Sequence, residues 1–449
     1  MVLGLVSLVR ADDGLVREDV VGAGVPVSLI RPPGTGPFPG VVVAHGFSGS
    51  SRLMDGIGIA FARDGWAVAL PDLSGHGINR SGLEGADLAG EVTDVARWLQ
   101  QREDVSDVAL LGHSMGAGAV TQAAASSKEL PVVALSLPSA DDLSDDLDAL
   151  FLVGSAEPER FGAAAAQAAA LGYETETVAG AEHISILFRT QTLQTSVAWL
   201  DDRLGRTSAP VSPDRRMPAV AAAYVGSALL FWPLSAWVVR TRREVVTGRQ
   251  PRVPRWLALP AAALVAGAML AVLPGLAEVV PLLVGGYLAA FVAISGLLVW
   301  VVGRRRERLV VGSFGQGVVL GAYAAAAVAV PAQLAWAQVS LAGPRGAAAA
   351  ALLGAFVLFS WAELVLRDRV GYPSVLGGRL LVTAVLAVLV LTGAAPGFLL
   401  LLLPLVAVLL PWFGSYGARV TRLGGSGLAG ALSQAPALAM LVAVTTPLA

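Results

Sequence analysis

The chain has 449 residues and a formal net charge of −2, with 55% hydrophobic residues, 14% charged residues and a mean hydropathy of +0.68. A charge balance this close to neutral does not favour nucleic acid or a strongly charged partner. The absence of cysteine excludes disulfides and thiolate metal sites. A boundary lies near residue 216, because ordinary soluble composition precedes it and long apolar runs follow it. All four histidines precede this boundary, so acid–base chemistry is expected in the first half.

Short apolar runs alternate with helical patterns in the first half, which predicts a mostly parallel sheet flanked by helices over residues 1–204. A linker with Pro and Ser is predicted at 205–216, before a membrane half at 217–449. The apolar run at 1–9 is too short to span a bilayer. It is either the tail of a longer signal anchor or the first strand of the domain. The other predicted strands are 16–21, 25–30, 41–44, 67–70, 108–111, 132–135, 149–153 and 173–178, and the predicted helices are 52–63, 88–101, 114–127, 158–171 and 186–204.

One pentapeptide, Gly-His-Ser-Met-Gly at 112–116, has the pattern G-x-S-x-G and lies between a predicted strand and a predicted helix. On such a tight strand-to-helix turn the serine is pushed clear of the backbone. The positive end of the following helix then points at the place where an oxyanion forms. This context predicts that Ser114 is a nucleophile.

Further motifs occur in order along the first half: Pro-Gly-Val-Val-Val-Ala-His-Gly-Phe at 39–47, Leu-Pro-Asp-Leu-Ser-Gly-His-Gly at 70–77, the pentapeptide at 112–116, Leu-Val-Gly-Ser-Ala-Glu-Pro at 152–158 and Gly-Ala-Glu-His at 180–183. Together they resemble the α/β-hydrolase superfamily over roughly residues 15–204, and within it the group of dienelactone hydrolases and serine-aminopeptidase-like esterases is the most similar. By this resemblance 39–47 supplies half of an oxyanion hole, 70–77 contains the D-x-x-G-H-G turn, and the last two motifs are the acid and histidine turns. The resemblance implies an α/β-hydrolase fold and a serine hydrolase that needs no cofactor or metal, whereas the membrane half resembles no family.

Three residues, Ser114, Glu157 and His183, occur in the chain order expected for a catalytic triad in this fold. A serine hydroxyl needs an adjacent base, and a carboxylate must orient an imidazole that acts as that base. Each of the three follows a predicted strand, so all should meet at the carboxyl edge of the sheet. We therefore predict His183 as the base and Glu157 as the orienting acid. Many relatives carry Asp at the acid position, and the longer Glu157 has an extra methylene to accommodate.

The competing histidines and acids are predicted to be structural. His45 should brace the oxyanion turn, His76 should hydrogen-bond the backbone, and His113 should point away from the nucleophile. Glu182 is predicted to be a solvated rim charge. The remaining rivals for the acid lie in a polar loop before a strand, where solvated or capping roles are expected: Asp141, Asp142, Asp145, Asp146 and Asp148.

The oxyanion hole is predicted to consist of the backbone N–H groups of Phe47 and Met115. Their side chains either line the acyl pocket or pack in the core. No sequence for a helical cap is present between residues 134 and 149. An open site is therefore expected, with substrate selection by the loops at 47–53 and 78–84 or by the membrane half.

Eight apolar runs after residue 216 are long enough to cross a bilayer as helices. The range is six to eight, because the sixth and seventh runs are separated only by a short connection with Gly and Pro and can also form a re-entrant pair. The predicted spans are 217–239, 256–274, 279–302, 311–339, 346–366, 378–395, 397–414 and 427–447.

Every second connection between these spans is basic. By the positive-inside rule the basic connections are cytoplasmic, which places the first half outside the cytoplasm. Basic residues just before the first span weaken this assignment, so a cytoplasmic first half stays open as an alternative. The arginines in question are Arg240, Arg242, Arg243, Arg249, Arg252, Arg255, Arg304, Arg305, Arg306, Arg308, Arg367, Arg369, Arg379, Arg419 and Arg422.

Few polar residues interrupt the predicted spans. Glu363 should form an interfacial ion pair with Arg367 or Arg369. Four glutamines are candidates for hydrogen bonds between helices: Gln316, Gln333, Gln338 and Gln434.

These patterns together predict a multi-spanning serine hydrolase in the plasma membrane of a prokaryote. It should cleave an ester, thioester or amide bond of a small-molecule or lipid acyl substrate through an acyl-enzyme. No cofactor, metal or nucleic acid is expected. The alternative is a transporter or sensor whose hydrolase-like domain only binds a ligand.

Overall fold

The computed structural model describes residues 1–127, 130–240, 255–303, 311–367 and 371–449. Its first half contains an eight-stranded sheet made of β1 (Val16–Gly22), β2 (Val25–Arg31), β3 (Phe38–Ala44), β4 (Ala67–Pro71), β5 (Val105–His113), β6 (Val132–Leu135), β7 (Ala149–Gly154) and β8 (Glu174–Val178). The strand order is β1-β2-β4-β3-β5-β6-β7-β8. Strand β2 pairs antiparallel with β1 and β4, and all other pairs are parallel. Each strand overlaps one of the eight predicted, and the predicted mostly parallel sheet is confirmed.

Helices cover both faces of the sheet, as the apolar strands require. Strand β3 illustrates the reason: Val41 and Val43 belong to one buried cluster, and Val42 and Ala44 to another. Successive side chains point to opposite faces, so an apolar run needs cover on both. Helices α2 (Asp55–Arg63) and α6 (Thr190–Arg203) cover one face, and α3 (Leu88–Gln100), α4 (Met115–Ser126) and α5 (Glu159–Ala170) cover the other. Each fully buried Val or Leu contributes about 1.5–3 kcal/mol.

The apolar run at the N-terminus does not form a β-strand, which was one of its two predicted alternatives. Residues Val2–Val9 form helix α1 rather than a strand. Its Gly4 lies against helix α7 (Arg216–Val238), since a Cβ there would come within 2.5 Å of the Ala219 carbonyl oxygen. The helix predicted at 186–204 also begins later than expected, because a 3-10 turn at Ser185–Phe188 precedes α6.

The second half of the chain is helical. Within the described residues, seven helical segments are long and apolar enough to cross a membrane, and Leu257–Val272 is a shorter apolar helix. The predicted span at 279–302 begins its helix only at Gly285, and the last predicted span is broken into two helices at Ser433. The helices after α7 are α8 (Arg255–Val272), α9 (Gly285–Gly303), α10 (Val311–Ala335), α11 (Pro344–Arg367), α12 (Tyr372–Leu391), α13 (Leu399–Arg422), α14 (Gly427–Leu432) and α15 (Ala435–Thr445).

The chain divides into two units by its contacts. The first contains residues 1–223 together with 331–339, and the second contains 224–330 together with 340–449. The segment predicted to be a linker, 205–216, is hydrogen-bonded within the first unit. The Ala209 N–H donates to Asp64 Oδ1 at 2.8 Å, for example.

Glu363 lies at the centre of a buried charge cluster in the second unit. Its Oε1 is 3.2 Å from Arg367 Nε and its Oε2 is 2.9 Å from Arg379 Nε. Arg379, expected in a basic connection, instead lies inside α12 and is fully buried. Most arginines behind the orientation prediction fall outside the described residues: Arg242, Arg243, Arg249, Arg252, Arg304, Arg305, Arg306, Arg308 and Arg369.

Candidate active site

Ser114 lies on the turn between β5 and α4, in a backbone conformation that glycines on either side make possible. Its φ is +54°, which costs a non-glycine residue of order 1–3 kcal/mol. A Cβ on Gly112 would come within 2.2 Å of the Gly116 carbonyl oxygen, and one on Gly116 within 2.4 Å of the Ala44 carbonyl oxygen. The two glycines therefore let β5, α4 and β3 pass close together, with the half-buried serine at the turn.

The structure brings Ser114, His183 and Glu157 together as a hydrogen-bonded chain. His183 Nε2 is 3.1 Å from Ser114 Oγ, and His183 Nδ1 is 2.8 Å from Glu157 Oε2. The three residues follow β5, β8 and β7, so the carboxyl edge of the sheet gathers them. With Glu157 ionised, Nδ1–H donates to the carboxylate and leaves Nε2 free to accept the serine proton.

The Glu157 carboxylate is held by donors on both oxygens. Its Oε1 accepts from Ser136 Oγ at 2.7 Å and from the Gly154 N–H at 2.8 Å. Burial alone raises the pKa of this carboxyl, but the hydrogen bonds from His183, Ser136 and Gly154 outweigh burial and lower it. The group is therefore an anion at neutral pH, and its orientation is fixed.

The His183 ring and backbone also have fixed neighbours. The Phe161 ring stacks on the imidazole with centroids 4.2 Å apart. The Nε2 atom of His113 is 2.8 Å from the His183 carbonyl oxygen. Burial lowers the pKa of His113 to about 3, so it is neutral and its Nε2–H donates to that carbonyl. His113 thus has a structural role, as expected, because it hydrogen-bonds the backbone of His183.

The turn after β3, residues 46–51, lies against Ser114 and is called the oxyanion loop below. A Cβ on Gly46 would be 3.2 Å from the Ser114 Cβ. Phe47, the predicted first donor, follows Gly46. Met115, the predicted second donor, begins α4, so its N–H is among those without an acceptor inside the helix. Phe47 and Met115 are thus the chain neighbours of two residues that lie against each other, Gly46 and Ser114.

Two histidines tie the oxyanion loop to the turn at 72–77. His45 Nδ1 lies 2.9 Å from the Gly46 carbonyl oxygen, and its Nε2 accepts from the Leu73 N–H at 3.2 Å. Burial lowers the pKa of His45, so both bonds are made by the neutral ring. His76 Nε2 accepts from the Ser48 N–H at 3.2 Å. These contacts are of the predicted kind: His45 braces the turn, and His76 hydrogen-bonds the backbone.

The rival acids make other contacts. Asp148 forms an ion pair with Arg203, and Asp141 accepts from Ser139 Oγ. Glu182 accepts from the Ile184 and Ser185 N–H groups, so it caps the 3-10 turn rather than being only a solvated rim charge.

Sequence reasoning missed two residues of this site. Ser136 was not singled out, although it follows β6 at the same sheet edge, and this position is the signal that could have identified it. Phe161 was not singled out because a phenylalanine on a helix usually packs in the core.

The loop between β6 and β7 contains no helix. A cavity of about 600 Å³ in the first unit is lined by α1, α2 and residues 209–216, away from Ser114, His183 and Glu157.

Within the described parts of the chain, no group of three or more His, Cys, Asp or Glu side chains is arranged to hold a metal ion. The site presents a hydroxyl, an imidazole and a carboxylate in a row, and the Phe47 and Met115 N–H groups stay the predicted oxyanion donors. Such an arrangement can activate the hydroxyl and stabilise an oxyanion.

Part of the first unit is similar to known proteins. Residues 39–171 match a family model described as alpha/beta hydrolase fold. A thermostable monoacylglycerol lipase from Bacillus sp. (strain H-257) is 35% identical over 80 residues, which cover 17% of this chain and 31% of the lipase. Esterase EstD from Thermotoga maritima is 30% identical over 139 residues, which cover 27% of this chain and 32% of the esterase. The chain thus spans about a third of the length of these curated relatives.

Among solved structures, a dienelactone hydrolase from Anabaena variabilis is 21% identical, with a TM-score of 0.35. The match covers 42% of this chain and 97% of that protein. The resemblance inferred from the sequence motifs is confirmed by the family model.

Proposed function

We propose that this chain, whose first unit is an α/β-hydrolase domain, is a membrane-embedded serine hydrolase that cleaves carboxylic esters. The observation that carries the proposal is the unbroken hydrogen-bonded chain from Ser114 through His183 to Glu157. Its relatives, a monoacylglycerol lipase and an esterase, support hydrolysis of an ester rather than of a thioester or amide.

The reaction follows from the hydrogen-bond pattern. His183 Nε2 takes the proton of the Ser114 hydroxyl while its oxygen attacks the carbonyl carbon of the substrate. The N–H groups of Phe47 and Met115 stabilise the oxygen of the tetrahedral intermediate, where losing one donor costs about 2.7–4 kcal/mol. His183 then gives its proton to the leaving alkoxide. Water repeats the sequence on the acyl-enzyme and releases the acid.

Glu157 serves this cycle by stabilising the imidazolium. His183 is a cation only between attack and departure of the leaving group, and the Glu157 anion is already in place 2.8 Å from Nδ1. The hydrogen bonds from Ser136 and Gly154 keep the carboxylate ionised and oriented. It therefore lowers the barrier without taking a proton itself.

The substrate we propose is an ester borne by, or delivered from, the bilayer. Two observations support it: seven helical segments of membrane length lie in the described part of the chain, and the described loop between β6 and β7 contains no helix. An uncapped site accepts an extended acyl chain more easily than a closed one. We place the hydrolase unit outside the cytoplasm, following the distribution of arginines between the predicted spans.

The alternative is a transporter or sensor in which this domain only binds a ligand. The strained φ at Ser114 and the buried carboxylate of Glu157 argue against it, because binding alone requires neither.

A fluorophosphonate probe tests the proposal in the full chain purified in detergent. Wild type should be labelled, and Ser114→Ala should not. Ser126→Ala is the matched control, since Ser126 is exposed at the far end of the same helix, α4. Folded wild type that resists labelling, or Ser114→Ala that labels normally, would overturn the proposal. Ligand-dependent transport that persists in Ser114→Ala would support the alternative.

A further inference from the structure

The oxyanion loop contains two buried serines that share one partner far away in the sequence. Ser50 is 3% exposed and Ser51 is 1% exposed. Ser50 Oγ accepts from the backbone N–H of Gln338 at 3.2 Å, and Ser51 Oγ accepts from the Gln338 side-chain Nε2, also at 3.2 Å. Gln338 follows α10 in the chain, within residues 331–339, which belong to the first unit.

A second glutamine fixes the orientation of the Gln338 amide. Gln333 Nε2 donates to Gln338 Oε1 at 2.9 Å, and Gln333 Oε1 accepts from the Val339 N–H at 2.7 Å. Because Oε1 of Gln338 is taken up as an acceptor, its Nε2 is the atom left to face Ser51. The arrangement is specific, since a flipped amide would place two donors against each other.

These contacts complete the restraint of the oxyanion loop. Its first half is held by His45 and by the bond from the Ser48 N–H to His76. Its second half is held by Gln338 and by the bond from the Ser51 N–H to Asp72 Oδ1 at 2.7 Å. Without the Gln338 side chain, the buried Ser51 hydroxyl would lose this donor while Ser50 kept the backbone N–H, and the loop would relax around Ser51.

We propose that Gln338 is a positioning residue for the oxyanion hole. By holding Ser50 and Ser51 it fixes the loop on which the Phe47 N–H is presented to the reacting carbonyl oxygen. This inference rests on the proposed function. A segment that follows an apolar helix in the sequence is thus part of the machinery of the hydrolase unit. Preorganised donors are effective because they need no reorganisation when charge develops.

The expected effect is on turnover rather than on substrate binding. With a short-chain 4-nitrophenyl ester and the full chain in detergent, Gln338→Ala should lower kcat about 10-fold, less than the 10²–10³-fold loss of a whole oxyanion donor. KM should change by less than about 2-fold, because the displaced donor acts mainly in the transition state. Gln167→Ala is the matched control, since Gln167 is exposed on α5.

A boronic acid inhibitor separates positioning from a general loss of structure. Bound covalently to the serine, its tetrahedral oxygen occupies the oxyanion hole, so its affinity should fall by the same factor as kcat. In a double-mutant cycle, adding Ser51→Ala to Gln338→Ala should lower kcat by less than Ser51→Ala does in wild type. Thermal unfolding verifies that each variant is folded.

Gln333→Ala provides a second variant if Gln338→Ala does not fold. It frees the Gln338 amide without touching the serines and should lower kcat about 3-fold, a smaller loss because the Gln338 side chain remains and can still donate to Ser51. Suppose that the wild type is active and that a folded variant has the same kcat and the same boronate affinity as the wild type. This result would overturn the present inference and leave the proposed function intact. A wild type that neither turns over esters nor reacts with fluorophosphonate would refute the proposed function, and this inference with it.

Discussion

Replacing Glu157 by glutamine should abolish most activity even though the side chain keeps its size. In the wild type, Oε1 accepts from Ser136 and Gly154, whereas Oε2 accepts from His183 Nδ1. A glutamine has only one acceptor oxygen. In Glu157→Gln, the two donors at Ser136 and Gly154 should bind that oxygen, and the amide NH₂ should face the imidazole.

The reversed amide is the less stable choice. It would place the NH₂ against the Gly154 N–H and leave a buried donor unpaired, at a cost of about 1–3 kcal/mol. The favoured amide instead donates to His183 Nδ1, so the imidazole proton moves to Nε2. An Nε2–H cannot accept the Ser114 proton. In serine proteases, where the corresponding change gives the wrong tautomer with intact geometry, kcat falls about 10⁴-fold.

We therefore expect kcat of Glu157→Gln to fall by about 10³–10⁴, equivalent to roughly 4–5.5 kcal/mol. The assay is hydrolysis of a 4-nitrophenyl ester by the full chain in detergent. Glu103→Gln, an exposed acid-to-amide change, is the control. Retention of more than a tenth of the wild-type kcat in folded Glu157→Gln would refute the tautomer argument.

Three further changes test the surroundings by thermal unfolding of the full chain. Burial, together with a neighbouring carboxyl group, raises the pKa of Asp64 to about 6. Its stabilising contribution is therefore complete below its unfolded pKa and is lost as the pH rises through about 6. Asp64→Asn should be more stable than wild type by roughly 1 kcal/mol at pH 8, since solvent screens part of the effect, with the gain vanishing near pH 4, and a pH-independent difference would contradict this sign. Gly116→Ala should lose activity and about 1–3 kcal/mol of stability, because its Cβ would meet the Ala44 carbonyl oxygen at 2.4 Å, and unchanged activity would show that the turn can open. Arg379→Ala should cost about 3–5 kcal/mol by removing one partner of the buried Glu363, whereas a change below 1 kcal/mol would mean that water or Arg367 replaces it.

The strands and the elbow were predictable because local patterns determine them. Apolar runs of four to six residues give buried parallel strands, and glycines at 112 and 116 are required wherever strand and helix pass this closely. The positions of Ser114, Glu157 and His183 after three strands follow from the rule that parallel strands end at one edge. For the same reason the three residues of the candidate site could be predicted from the sequence once the strands had been assigned.

The parts that sequence did not predict depend on contacts between distant residues. Gln338 was a candidate for bonding between helices, yet its partners are serines almost 300 positions earlier. Arg379 was counted with a basic connection, because no periodicity distinguishes it from neighbouring arginines, but Glu363 pairs with it in the buried interior. Ser136 has no motif at all. Each of these pairings is set by three-dimensional packing, on which a single sequence carries no local signal.

Residues 331–339 belong to the first unit, and this affects how its gene can recombine and how the protein can be divided into fragments. The first unit cannot be taken from the chain as one continuous segment, because one piece of it is encoded at the end of helix α10 and just after it. A fragment ending at residue 223 would present the Ser50 and Ser51 hydroxyls without their amide partner. Genes that combine this unit with a different set of helices must therefore preserve that short piece or supply a substitute for it.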